Sequence, residues 1–63
     1  MATIEIHDTS GRRLARFNAD VNPGSAEDCV ALLRTQARAL KKPLSELRLV
    51  TWVKGRIRTE YRA

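Results

Sequence analysis

The sequence predicts a single small α+β domain in which two β-hairpins flank one helix. Apolar residues alternate with polar ones over residues 2–18 and again over 46–62, and they recur at helical spacing over 25–41. The order is therefore β-β-α-β-β, and we expect a four-stranded, mainly antiparallel sheet with the helix packed on one face. The 63 residues suffice for one domain with a modest core.

The first hairpin, residues 2–18, is predicted from alternation around Ile4 and Ile6 and from the turn sequence Ser10-Gly11. Glycine supplies the positive φ that such a turn requires. A two-residue turn separates an apolar face from a charged one, which favours this register. It predicts the cross-strand pairs Ile4–Phe17, Glu5–Arg16, Ile6–Ala15, Asp8–Arg13 and Thr9–Arg12.

The helix is predicted over residues 25–41. Ser25 is the expected N-cap, and Glu27 and Asp28 place negative charge at the positive end of the helix dipole. Pro43 ends the helix. Cys29 lies beside an apolar face that consists of Ala26, Val30, Leu33, Ala37 and Leu40.

The second hairpin, residues 46–62, allows two registers. A two-residue turn mixes arginines with leucines, whereas a three-residue turn over 54–56 sets Val53 opposite Ile57 and separates the faces. We prefer the second register, which turns Arg48, Val50, Trp52, Arg58, Glu60 and Arg62 away from the helix. The predicted core is then Ile4, Ile6, Phe17, Val30, Leu33, Ala37, Leu40, Leu49 and Val53.

This layout resembles a ubiquitin-like β-grasp. The resemblance covers most of the chain and rests on the Ser10-Gly11 turn, the capped helix, the Pro43 loop, the strand at 47–50 and the Lys54-Gly55 turn. The sequence ends without a Gly-Gly tail, so the resemblance does not imply conjugation chemistry. A plain antiparallel sheet with the helix as crossover is an equally good prediction.

The charge is distributed unevenly along the chain. Residues 1–31 hold three arginines against five acidic residues, whereas 32–63 hold nine cations against Glu46 and Glu60. A basic half of this density is typical of chains that bind a polyanion or an acidic protein. The alternative is that the net charge only keeps a small protein soluble.

Several function classes are not expected. His7 and Asp8 point to opposite faces of a strand, and Cys29 lies on the apolar helix face, so we predict no enzyme. One cysteine and one histidine supply too few ligands for a zinc site, and we expect no cofactor. No apolar run is long enough to span a membrane, and a single thiol suits a reducing, cytoplasmic location.

The remaining prediction is a binding module. Residues 54–61 resemble an RNA-recognition strand in their leading Lys-Gly and closing Tyr, although both central aromatics are missing. We expect nucleic acid to bind a sheet face and hairpin tip formed by Arg48, Trp52, Lys54, Arg56, Arg58 and Arg62, with a helix stripe of Arg34, Arg38 and Lys41 as a further candidate.

The alternative partner is an acidic protein surface, which would use an exposed Val50–Trp52 patch as its apolar contact. The chain would then act as a small inhibitor, adaptor or regulator of the kind that mobile elements encode. In either case we expect a monomer or a weak homodimer.

Overall fold

The two hairpins join through their first strands to form one sheet. The computed structural model describes residues 2–20, 23–53 and 56–62, with Val53 and Ile57 described by their backbone alone. The strand order is β2-β1-β3-β4, and every neighbouring pair is antiparallel. The predicted α+β fold is therefore confirmed. Its elements are β1 (Ala2–His7), β2 (Arg13–Ala19), α1 (Ala26–Leu40), a 3-10 turn (Leu44–Glu46), β3 (Arg48–Val53) and β4 (Ile57–Arg62).

The central pairing of β1 with β3 decides between the two predicted layouts. Ile6 lies opposite Leu49 and Ile4 opposite Thr51, with the strands antiparallel. A ubiquitin-like β-grasp instead has its first and last strands as parallel neighbours. The chain therefore forms the plain antiparallel sheet, and the helix serves as the crossover between its two hairpins.

The turn between β1 and β2 has three residues, 9–11, where the sequence predicted two. The backbone N–H of Asp8 donates to the carbonyl of Arg12 at 3.0 Å, which closes the longer turn. The Asp8 side chain fixes it, because Oδ1 accepts from Ser10 N at 2.9 Å, Ser10 Oγ at 2.6 Å and Arg12 N at 3.0 Å. Gly11 adopts φ 90°, the positive value predicted for it.

A β-bulge follows this turn and changes the register. His7 pairs with Arg13, so Leu14 is the extra residue and packs against the buried cluster. The two predicted pairs nearest the turn are therefore wrong: Asp8–Arg13 and Thr9–Arg12. Beyond the bulge the predicted register is confirmed for Ile4–Phe17, Glu5–Arg16 and Ile6–Ala15.

The preferred register of the second hairpin is confirmed. Val53 pairs with Ile57, and Leu49 pairs with Tyr61, as a three-residue turn requires. This register directs Leu49 and Tyr61 to the helix side of the sheet, where both contribute to the core. Of the turn residues, Lys54 and Gly55 lie outside the described residues.

Helix α1 begins at the predicted cap but buries a slightly different face. Ser25 Oγ accepts from Asp28 N at 3.2 Å. Leu33 is fully buried, whereas Val30 is only half-buried and Ala26 is exposed. Placing Val30 and Ala26 on the core face was therefore wrong. The helix is rotated toward Cys29 and Leu32, which pack against the buried cluster together with Ala37 and Leu40.

The core lies between α1 and the sheet. Ile4, Ile6, Leu33 and Leu49 are buried as predicted, and Phe17 packs partly buried against them. The predicted member Val53 lies outside the described side chains. Two residues of the buried cluster between helix and sheet were not in the predicted core: Ala2 and Leu47.

The C-terminal end of α1 adopts a left-handed conformation without a glycine. Lys41 has φ 55° and ψ 44°, and its N–H bonds to the carbonyls of Ala37 and Arg38. The N–H of Lys42 bonds to the carbonyl of Ala37 at 3.1 Å, which completes a Schellman motif. A residue with a Cβ is strained at this position by roughly 1 kcal/mol.

Replacing Leu33 by alanine tests the helix face. We expect Leu33→Ala to lower the free energy of unfolding by about 2–5 kcal/mol, which is enough to unfold much of a domain this small. The matched control Val30→Ala removes atoms from a half-buried position, and we expect it to cost less than half as much. Urea unfolding followed by circular dichroism measures both. Equal losses would contradict the observed orientation of α1.

Replacing Lys41 by glycine tests the strained helix end. We expect Lys41→Gly to raise the free energy of unfolding by about 0.5–1 kcal/mol, because glycine adopts the left-handed conformation without strain. Lys42→Gly is the control, since the positive φ belongs to its neighbour, and we expect no gain from it. Chemical denaturation of both variants at neutral pH gives the comparison, and a loss of stability in Lys41→Gly would refute the prediction.

Candidate functional site

No helix among the described residues packs on one face of the sheet, and we call it the open face. Its residues are the outward-pointing partners in each strand, arranged in three rows across the four strands. Five arginines and two glutamates occupy it. The rows are Asn18–Thr3–Trp52–Arg58, Arg16–Glu5–Val50–Glu60 and Arg13–His7–Arg48–Arg62.

Trp52 lies on central strand β3, within the open face. The indole is half-buried, and the guanidinium carbon of Arg58 lies 5.8 Å from its ring centroid, within range of a cation–π contact. Trp52 shares this surface with Arg48 and Arg58, as the sequence predicted. Its Nε1 is buried and makes no hydrogen bond within the described residues.

Three arginines converge on the carboxylate of Glu60. Arg58 Nη2 lies 3.3 Å and Arg62 Nε 3.4 Å from its oxygens, and Arg48 Nε lies 4.0 Å away. The Glu60 side chain is 31 % exposed, so the pairs on it are screened somewhat less than fully exposed ones. Glu60 therefore holds the three guanidiniums close together on one side of the face.

A second carboxylate, Glu5, organises the other side of the face. His7 Nε2 donates to Glu5 Oε1 at 2.8 Å, and Arg13 and Arg16 lie 3.7 Å and 3.9 Å from Oε2. Glu5 and both arginines were absent from the predicted site. The predicted hairpin register already paired Glu5 with Arg16, but only the pairing of β1 with β3 brings them beside Trp52.

The electrostatics of Glu5 follow from these contacts. The hydrogen bond from His7 lowers the pKa of Glu5 below its usual value, and partial burial of the carboxylate opposes this effect without cancelling it. The indole N–H of Trp52 adds to the lowering of this pKa from a position outside hydrogen-bond geometry. Glu5 is therefore ionised at neutral pH. Because an ionised carboxylate can only accept hydrogen bonds, the Nε2 atom of His7 that contacts it must carry a proton.

The burial of Val50 differs from what the sequence predicted for the open face. The sequence predicted an exposed Val50–Trp52 patch, but Val50 is 0 % exposed although no helix packs on its side of the sheet. It lies between Glu5 and Glu60 in register, and long charged side chains around it cover apolar surface with their aliphatic parts. The apolar part of the open face is thus reduced to Trp52.

The predicted site residues on the helix do not join this surface. Arg34, Arg38 and Lys41 are exposed on α1, which packs on the opposite side of the sheet. The helix stripe and the open face are therefore two separate basic surfaces. At the hairpin tip, Arg56 is exposed, and Lys54 lies outside the described residues.

Groups considered for catalysis are engaged in structural contacts. Asp8 fixes its turn, and hydrogen bonding by the Ser10 side chain is the main cause that lowers its pKa. Burial raises the pKa of the Cys29 thiol, which packs against the core. Among the described residues no three acidic, histidine or cysteine side chains group to hold a metal ion. No helix in the described part of the chain is long and apolar enough to cross a membrane.

Comparison with known proteins gave no relative: no protein family matches the chain, and neither curated proteins nor solved structures gave a significant match.

The lowered pKa of Glu5 predicts a dependence of stability on pH. The ionised form is favoured by folding, so its contribution is complete above the ordinary glutamate pKa of 4.5 and is lost as pH falls through the lower folded value. We expect Glu5→Gln to be less stable than the wild type at pH 7 and to lose less stability on acidification. Some slope remains in the variant, because the pKa of Asp8 is lowered as well.

Thermal melts between pH 7 and pH 3 measure this effect. Glu46→Gln is the control, because it removes one exposed carboxylate that makes no ion pair among the described residues. Parallel pH profiles for the wild type and Glu5→Gln would contradict the prediction.

Proposed function

We propose that the chain binds single-stranded nucleic acid across the open face. The observation that carries this proposal is a half-buried tryptophan on a central strand of an uncovered sheet, with arginines on both sides of it. An aromatic ring offers any base a stacking surface, and guanidiniums beside it contact phosphates. The net charge of +5 favours association with a polyanion.

The ion pairs that position the arginines on the open face support this proposal. Glu5 and Glu60 keep five guanidiniums near the sheet surface, so a ligand does not have to order five free side chains on binding. Each guanidinium has five N–H donors, and contact with one carboxylate leaves donors for a phosphate. The two glutamates reduce the total attraction but place the remaining positive charge along a defined path.

An acidic protein surface is the competing partner. The burial of Val50 removes half of the apolar patch on which that alternative relied, which leaves Trp52 as its only anchor on the open face among the described residues. Nucleic acid needs only one stacking surface with phosphate contacts, so we prefer it. A reducing, cytoplasmic compartment fits the single free thiol.

Variants of the open face and of the helix distinguish the two basic surfaces. We expect Trp52→Ala to weaken binding of a thymidine oligonucleotide by about 1–3 kcal/mol through lost stacking. Arg58→Gln should reduce the salt dependence of binding by about one ion, whereas Arg38→Gln on α1 should leave both affinity and salt dependence unchanged. Fluorescence anisotropy of a labelled oligonucleotide over a salt series measures all three.

The intrinsic emission of Trp52 gives an independent measurement, since it is the single tryptophan. Stacking should quench it as oligonucleotide is added to the wild type, and iodide should quench it less in the complex. Absence of binding at low salt would refute the proposal and leave an acidic protein as partner. If only Arg38→Gln weakens oligonucleotide binding, the binding site lies on the helix instead of the open face.

A further inference from the structure

A pocket lies at one end of the open face, beside the β1–β2 turn. It has a volume of about 350 Å³ and is lined by His7, the turn residues 8–11, and side chains of Arg48, Arg58, Glu60 and Arg62. It is distinct from a smaller pocket at the Trp52 end of the face, which is lined by Thr3, Glu5, Arg16 and Trp52. Along β3, Arg48 lies four residues from Trp52, a distance of about 13 Å.

The pocket combines three guanidiniums with limited net charge. Arg48, Arg58 and Arg62 are gathered at Glu60, so their remaining donors lie within a small volume. Asp8 also lines the pocket, but its Oδ1 already accepts three hydrogen bonds from the turn. Because Asp8 and Glu60 offset part of the positive charge, an anion gains more from directed hydrogen bonds here than from the general field.

The three guanidiniums determine which kind of phosphate suits the pocket. Residues 8–11 line one side of it, and the arginines gathered at Glu60 line the other. A terminal phosphate monoester carries about −1.5 to −2 charge at pH 7 and three acceptor oxygens, compared with a charge of −1 and two free oxygens for a backbone diester. Both properties favour a terminal phosphate beside three guanidiniums.

We propose that this pocket binds the terminal phosphate of a single-stranded oligonucleotide whose base stacks on Trp52. Arg48 and Arg62 supply the charge-assisted hydrogen bonds, and Glu60 is the internal counter-ion that keeps them in place. This inference rests on the proposed function and specifies which part of a nucleic acid the site selects.

The test compares three forms of one short thymidine oligonucleotide. One carries a 5′ phosphate, one carries a 3′ phosphate, and one has no terminal phosphate. We expect one phosphorylated form to bind the wild type about tenfold more tightly than the unphosphorylated form. Arg62→Gln should abolish this ratio. Arg16→Gln is the matched control, because it removes an arginine of the same face that does not line the pocket. It should weaken all forms alike and preserve the ratio.

Three outcomes would overturn the inference or its basis. If all forms bind the wild type with equal affinity, the pocket does not bind a terminal phosphate, while the proposed function still stands. Loss of the ratio in Arg16→Gln would show that the preference is a general charge effect, which also refutes the pocket. If no oligonucleotide binds but inorganic phosphate shifts the NMR signals of His7 and Arg62, the pocket is a phosphate site and the proposed function is wrong.

Discussion

The antiparallel pairing of β1 with β3 is the constraint on which the rest of the molecule depends. Each hairpin alone has two marginal strands with one apolar face, and neither hairpin buries that face without the other. Pairing Ile6 with Leu49 aligns the two apolar faces into one surface, which α1 covers with Leu33. The same register aligns the outer faces, so the charged residues of both hairpins meet without any separate interaction to bring them together.

The open face is held by its own side chains rather than by a second layer. Val50 is fully buried between Glu5 and Glu60, and each carboxylate has arginines or a histidine around it. Ion pairs at such exposure contribute about 0–1 kcal/mol each, so they add little to stability. Their consequence is geometric, because the guanidiniums are kept on the sheet surface where they can contact a ligand.

The sequence predicted local features and missed those that depend on distant contacts. Alternation determined the faces of both hairpins, and the segregation of faces selected the correct register at Val53–Ile57. The three hydrogen bonds of Asp8 override the two-residue turn, and the bulge at Leu14 follows. In α1, apolar residues on adjacent faces made the orientation ambiguous. Adding Arg13 and Arg16 to the site required the β1–β3 pairing, which joins segments more than 40 residues apart.

The contact between Arg58 and Trp52 sets a cost that any stacking ligand has to exceed. The guanidinium lies over the ring on which a base would stack, so the base has to displace it. An exposed cation–π contact contributes about 0.5–1 kcal/mol, whereas stacking of one base contributes about 1–3 kcal/mol. For the proposed nucleic-acid ligand the exchange is therefore favourable, and it would free Arg58 to contact the phosphate of the same nucleotide. One aromatic platform still gives only one such exchange. Affinity for unmodified single strands should accordingly stay near the non-specific range of about 10⁻⁴ to 10⁻⁶ M, and selectivity has to come from contacts elsewhere on the face.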